Sequence, residues 1–187
     1  MKRVTIYGLV SVAVVAVIAA GAGIAWRSQP PQRVLKQADI DAAVLLAAQR
    51  LGAPRMQVNR DVAIQTGHGV AHCHFALAFI GAVQLELIQP VGGADGVYRA
   101  QTPDVGLRLH HVGVLVDDRV DWDALLAEAK RDGFAVPVCG DFAGLMRYAY
   151  LDHRAELGHY VEYMQPSEAG ARLFDDVPRF PGPGGQR

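Results

Sequence analysis

The chain is short of the residues and motifs that announce several common chemistries. It holds two cysteines, Cys73 and Cys139, in 187 residues. That is too few for a disulfide framework, and spacing alone leaves them open as two thiols or one bridge. There is no Gly-x-Ser-x-Gly elbow and no Walker-type Lys-Ser/Thr motif, so nothing points to a serine nucleophile or a phosphate-cradling loop. An excess of either charge is missing too. The formal net charge is −1, which argues against nucleic acid as a partner. Charge is absent altogether from Val4 to Trp26.

That uncharged run is the first positive feature. As a helix it would cross a bilayer core of about 30 Å. Trp26 and Arg27 would then mark one interface, and Lys2 and Arg3 an N-in orientation. The run is longer than the apolar core of a secretory signal. Residues 1–27 are therefore expected to be a transmembrane anchor holding the remainder outside the cytoplasm. The alternative is a cleaved signal and a secreted or periplasmic protein.

The remainder has the composition of a globular domain, with 51% hydrophobic and 20% charged residues. Its pattern predicts two similar halves. In the first, a strand at 32–38 precedes a helix at 41–51 closed by Gly52, then strands at 54–62, 70–80 and 83–88. Turn residues fill a connection at 90–103. In the second, a strand at 107–116 precedes a helix at 121–132 closed by Gly133, then strands at 134–138, 146–151 and 159–164. Both halves read β-α-β-β-β. The Pro- and Gly-rich tail, 178–187, is expected to be disordered. A short repeat supports the duplication: Glu86-Leu87-Ile88-Gln89-Pro90 ends the first half and Glu162-Tyr163-Met164-Gln165-Pro166 the second.

Glu86 and Glu162 sit among apolar strand residues, where a carboxylate is costly unless paired, hydrogen-bonded or bound to a metal. Between them lies Leu109-His110-His111-Val112-Gly113-Val114-Leu115-Val116-Asp117-Asp118. Alternation across a strand places His111 with Gly113 and Leu115 and turns His110 to the opposite face. His111 with two carboxylates makes a mixed nitrogen and oxygen donor set suited to zinc, iron, manganese, cobalt or nickel. His72 and His74 share a strand face and could bind metal or contact substrate. Tyr148 and Tyr150 share another and could shape a pocket, although core packing is the commoner role for such a pair.

These residues make residues 32–166 resemble the vicinal oxygen chelate superfamily, which includes glyoxalase I, methylmalonyl-CoA epimerase, extradiol dioxygenases and metal-free drug-binding proteins. The resemblance implies an α+β fold of paired βαβββ modules, here 32–90 and 107–166, whose curved sheets enclose a cavity. It implies one divalent metal ion held by His111, Glu162, Glu86 and Gln32. Gln32 is placed by analogy, seven residues before Asp39 as His111 is before Asp118. It also implies that His72 and His74 line the cavity. The activity implied is that of an isomerase, epimerase or lyase acting on a small substrate with neighbouring oxygens through an enolate, with Glu162 moving the proton. A non-catalytic small-molecule-binding module of the same fold is the alternative, and a homodimer stays open.

Overall fold

The computed structural model of the protein describes residues 6–16, in backbone only, together with residues 40–102 and 107–182. The strand at its centre is the stretch expected to enter a membrane. Strand β1 (Ile6–Ala16) runs parallel to β4 (Val83–Gly93) on one side and antiparallel to β5 (Leu107–Val116) on the other. The expected transmembrane anchor or signal segment, and the localisation drawn from it, are corrected by this pairing. No helix among the described residues is long and apolar enough to cross a membrane. The physical reason lies in what a central strand can tolerate. A strand paired on both edges and covered on both faces reads as a continuous apolar run. Ile6, Val10, Val12, Val14 and Val15 add the β-branched side chains that favour extended backbone. The strand expected at 32–38 lies outside the described residues, and β1 takes its place as the first strand of the first half.

Around β1 the two halves are arranged alike. In the first, α1 (Ile40–Arg50) leads to β2 (Gln57–Thr66), β3 (Gly69–Ile80) and β4. A short helix, α2 (Gly96–Arg99), lies in the connection between halves. In the second, β5 is followed by α3 (Trp122–Arg131), β6 (Val138–Phe142), β7 (Met146–His153), the short α4 (Arg154–Leu157) and β8 (His159–Pro166). The strand order is β2-β3-β4-β1-β5-β8-β7-β6. The outer strands curl toward each other, because Gly67 N donates to Pro137 O at 2.8 Å and Gln65 N to the Tyr148 hydroxyl at 3.0 Å. A cupped interior results.

The helices cover the outside of the cup. In α1, Ile40, Ala43 and Ala47 form the buried stripe and pack on Ala76, Ala78, Leu85 and Leu87. In α3, Trp122, Leu126 and Ala129 do the same, while the Asp121 side chain accepts from Asp123 N and Ala124 N to cap the first turn. The end of the chain differs from expectation. Strand β9 (Arg179–Phe180) pairs with β3, and the Arg179 guanidinium lies 3.9 Å from the centre of the Phe79 ring. The tail expected to be disordered from Pro178 is therefore held on the sheet as far as Phe180.

Candidate active site

The site begins with an irregularity in β5. The β1–β5 ladder pairs Ala13 with His111 and then Val14 with Leu109, so His110 is an extra residue without a partner on β1. A bulge of this kind breaks the alternation of side chains. Both histidines are consequently turned into the interior. Each is fully buried, and their Nδ1 atoms are 3.0 Å apart. The expectation that His110 faces away from His111 is corrected by this bulge.

Glu162 meets His111 from β8, where the parallel ladder sets it opposite Gly113. His111 Nε2 lies 3.1 Å from Glu162 Oε2. By geometry this buried nitrogen makes no regular hydrogen bond. Glu86 arrives from the other half. Ala13 is in register with Glu86 on one side and with His111 on the other, which separates their backbones by two strand spacings, about 10 Å. Glu86 and Glu162 both line a cavity of about 300 Å³ inside the cup. Most of its wall is apolar, with Phe75, Leu77 and Met164 from the sheet and Leu173 and Phe174 from the segment after β8.

Enclosure in this wall sets the electrostatics. Burial, reinforced by the charge of Glu162, pushes the Glu86 carboxyl up to about 7 against the pull of His111. Burial pulls the His111 imidazole down, but neighbouring Glu162 and then Glu86 outweigh it and leave the group above its ordinary value. Burial also lifts Cys73 to about 12, which removes it as a nucleophile at neutral pH. Cys73 and Cys139 are both free thiols, the first buried and the second exposed.

Tyr148 and Tyr150, which share one strand face, both line the cavity, and the Tyr150 ring is 4.6 Å from His111. His72 and His74 do not. They share the strand face of Ala76 and Ala78, which packs against α1. There His72 Nδ1 pairs with Asp61 at 2.9 Å and His74 Nδ1 accepts from Asp61 N. Gln32 lies outside the described residues. The backbone register points elsewhere for a fourth position. Gly113, two residues past His111, faces Glu162, and Ala13 faces Glu86, so the residue of β1 equivalent to His111 is Ser11. Tyr98 was not expected. It sits in the polar connection, is buried, lines the cavity and stacks on His110 at 5.2 Å. A lone aromatic amid turn residues was its only sequence signal.

Among the described residues no group of three or more His, Cys, Asp and Glu side chains is gathered closely enough to hold a metal ion. Two donors do converge. Neighbouring ligands on a six-coordinate ion with bonds of about 2.1 Å stand about 3 Å apart, which is the spacing of His111 Nε2 and Glu162 Oε2. A cation between them would be within reach of both donors.

Comparisons with known proteins agree with the architecture. Residues 32–150 match the family model described as the glyoxalase/bleomycin resistance protein/dioxygenase superfamily. No curated protein sequence matches the chain. Among solved structures, methylmalonyl-CoA epimerase from Mycobacterium tuberculosis is similar with a TM-score of 0.52 at 15% identity, covering 91% of this chain and 95% of that one. A variant of the Streptomyces coelicolor methylmalonyl-CoA epimerase, in complex with 2-nitronate-propionyl-CoA, is similar with a TM-score of 0.50 at 15% identity, covering 88% and 97%. At such identities the likeness speaks for the fold alone. Together the family match and the paired βαβββ halves establish that this chain belongs to the glyoxalase/bleomycin resistance protein/dioxygenase superfamily.

Proposed function

We propose that the protein is a divalent-metal-dependent isomerase, epimerase or lyase acting on a small substrate with neighbouring oxygens through an enolate. The observation that carries this reading is the buried Nε2 of His111, without a regular hydrogen bond, beside Glu162, which lines the cavity. His111, Glu162 and Glu86 would hold the ion. Bound there, a divalent cation supplies positive charge that favours enolate formation. The chain's own residues do the rest. Glu162 is the group placed to take a proton from the carbon beside the substrate carbonyl and to return it. Tyr148 and Tyr150 present hydroxyl groups from one strand face, and the apolar wall excludes water from the reacting carbon. Membership of a family that contains epimerases supports the class of reaction, not the substrate.

The test has two parts. Elemental analysis of protein purified without chelator should find near-stoichiometric zinc, iron, manganese, cobalt or nickel that is lost in His111→Ala and Glu162→Ala. Incubation with hydroxyacetone or a 2-methylmalonyl thioester in heavy water should then give deuterium at the carbon beside the carbonyl, in the wild type only. A wild type that takes up no metal even after supplementation sinks the catalytic reading. The second reading is a metal-free binding module, favoured by the predominantly apolar wall. It expects chelator-treated protein to bind a small apolar ligand such as 2-naphthol with unchanged affinity.

A further inference from the structure

We propose that His110 is a positioning residue that fixes the tautomer of His111, so that the Nε2 lone pair of His111 is presented beside Glu162. The argument follows hydrogen atoms along three groups. His110 Nε2 lies 3.4 Å from the main-chain oxygen of Val97. A carbonyl has no proton to give, so the imidazole donates there. At alkaline pH an imidazole is neutral, and His110 is fully buried among the rings of Tyr98, Tyr150 and Tyr160. A neutral imidazole carries one N–H, and at His110 it is spent on Val97. His110 Nδ1 is then an acceptor, and across the 3.0 Å contact the donor must be His111 Nδ1. With its δ nitrogen protonated, neutral His111 keeps a bare Nε2, the reverse of the tautomer an isolated histidine side chain favours.

The surroundings hold this chain of contacts in place. The Tyr98 ring lies nearly parallel to His110 at 22°, and Tyr160 and Tyr150 close in at 5.1 and 5.6 Å. Val97 belongs to α2, which the Asp95–Arg99 ion pair and the Tyr98 N to Asp95 O bond of 3.0 Å brace. The connection between halves therefore reaches into the site through one carbonyl. The chain of contacts ends at that carbonyl, where no proton can leave, so it orients His111 and does not conduct protons. The bulge at His110 gains a purpose as well: without it the two imidazoles would fall on opposite faces of β5. A ligating histidine normally has its second nitrogen fixed by a carbonyl or carboxylate, and here another histidine takes that place. The purpose of the arrangement rests on the metal-dependent reading, whereas the tautomer itself belongs to the metal-free protein.

Long-range proton–nitrogen correlation spectra of the full chain, labelled with nitrogen-15 histidine, treated with chelator and held at alkaline pH, report which ring nitrogen carries each proton. The expected result is a protonated Nδ1 and bare Nε2 for His111, and a protonated Nε2 for His110. A proton on His111 Nε2 with a bare Nδ1 would overturn the proposal. His110→Phe keeps a ring but loses the acceptor, so His111 should revert to the Nε2–H tautomer and zinc affinity should fall about 10–100-fold. His110→Asn sets Oδ1 where Nδ1 stood and should keep the wild-type tautomer and most of the affinity. An unchanged His111 tautomer in His110→Phe also overturns the proposal, and if neither variant folds the wild-type spectrum decides alone. The expected tautomer in a protein that binds no zinc supports the His110 role and removes the metal-dependent reading. The opposite tautomer in a zinc-binding protein removes the His110 role only.

Discussion

The repeated Glu-x-x-Gln-Pro pattern divides its labour between two side chains. In both halves the glutamate enters the cavity and the glutamine ties the last strand to the start of the helix. Gln89 Oε1 accepts from Ile40 N at 2.9 Å. Gln165 Nε2 donates to Asp117 O and Val120 O at 2.8 and 2.9 Å. Gln165→Leu leaves two carbonyls without that donor and should lower the free energy of unfolding by about 2–3 kcal/mol in urea titration, without altering the tautomer of His111. Glu86 has a different signature. Its carboxyl ionises near 7 in the folded protein against an ordinary 4.5, so the folded state binds its proton more tightly than the unfolded chain. Stability in chelator-treated protein should therefore fall as pH rises from about 4.5 through about 7. The ceiling of that loss is about 3 kcal/mol, and water reaching the cavity lowers it. His111, whose folded value is raised, works in the same direction: its contribution is complete below its ordinary value and is lost as pH passes the folded one. Thermal melts across pH should show this slope flattened in Glu86→Gln, and an equal slope in the variant would assign the effect elsewhere.

At the scale of elements, what the sequence made legible was whatever depends on local pattern. Helices α1 and α3 were readable because Gly52 and Gly133 mark their ends and, in α1, an alanine- and leucine-rich run follows Asp41. Strands β3, β4, β7 and β8 were readable from alternation and from the turns between them. What failed depends on tertiary partners. The run containing Ile6–Ala16 is apolar enough for a bilayer and equally for the middle of a sheet, and no local feature separates the two solvents. The bulge at His110 is invisible because it is a property of register with β1, not of β5. His72 and His74 share a face as read, but which face turns to the cavity is decided by α1. Strand β9 was hidden by composition, since Pro178, Gly182 and their neighbours resemble a loose tail. Phe180 nevertheless packs with the cluster under α1, and Gly81 N donates to its carbonyl at 2.8 Å. Phe180→Ala should cost about 1–2 kcal/mol in urea unfolding, less than full burial of the ring would give. A change within error would mean that β9 does not stay on the sheet in solution.

For the whole molecule, the central β1–β5 pair is the seam between halves. Glu86 comes from the first half and His111 with Glu162 from the second, so an ion held by all three would bridge the seam. Anything that binds only the folded chain stabilises it, by about 2.7 kcal/mol at a hundredfold excess over its dissociation constant. Zinc or manganese should then raise the melting temperature of chelator-treated wild type. His111→Ala and Glu86→Ala should both remove that shift, although their mutated residues lie in different halves. Gln32→Ala should keep it, because β1 supplies the first strand and its register puts Ser11 at the fourth position. The pattern separates three cases by calorimetry. Loss in His111→Ala alone would describe an ion held within the second half by His111 and Glu162. Loss in Gln32→Ala would bring a residue outside the described segments into the site. Loss in His111→Ala and Glu86→Ala together, with Gln32→Ala unaffected, would show that the two halves are joined through the ion as well as through the sheet.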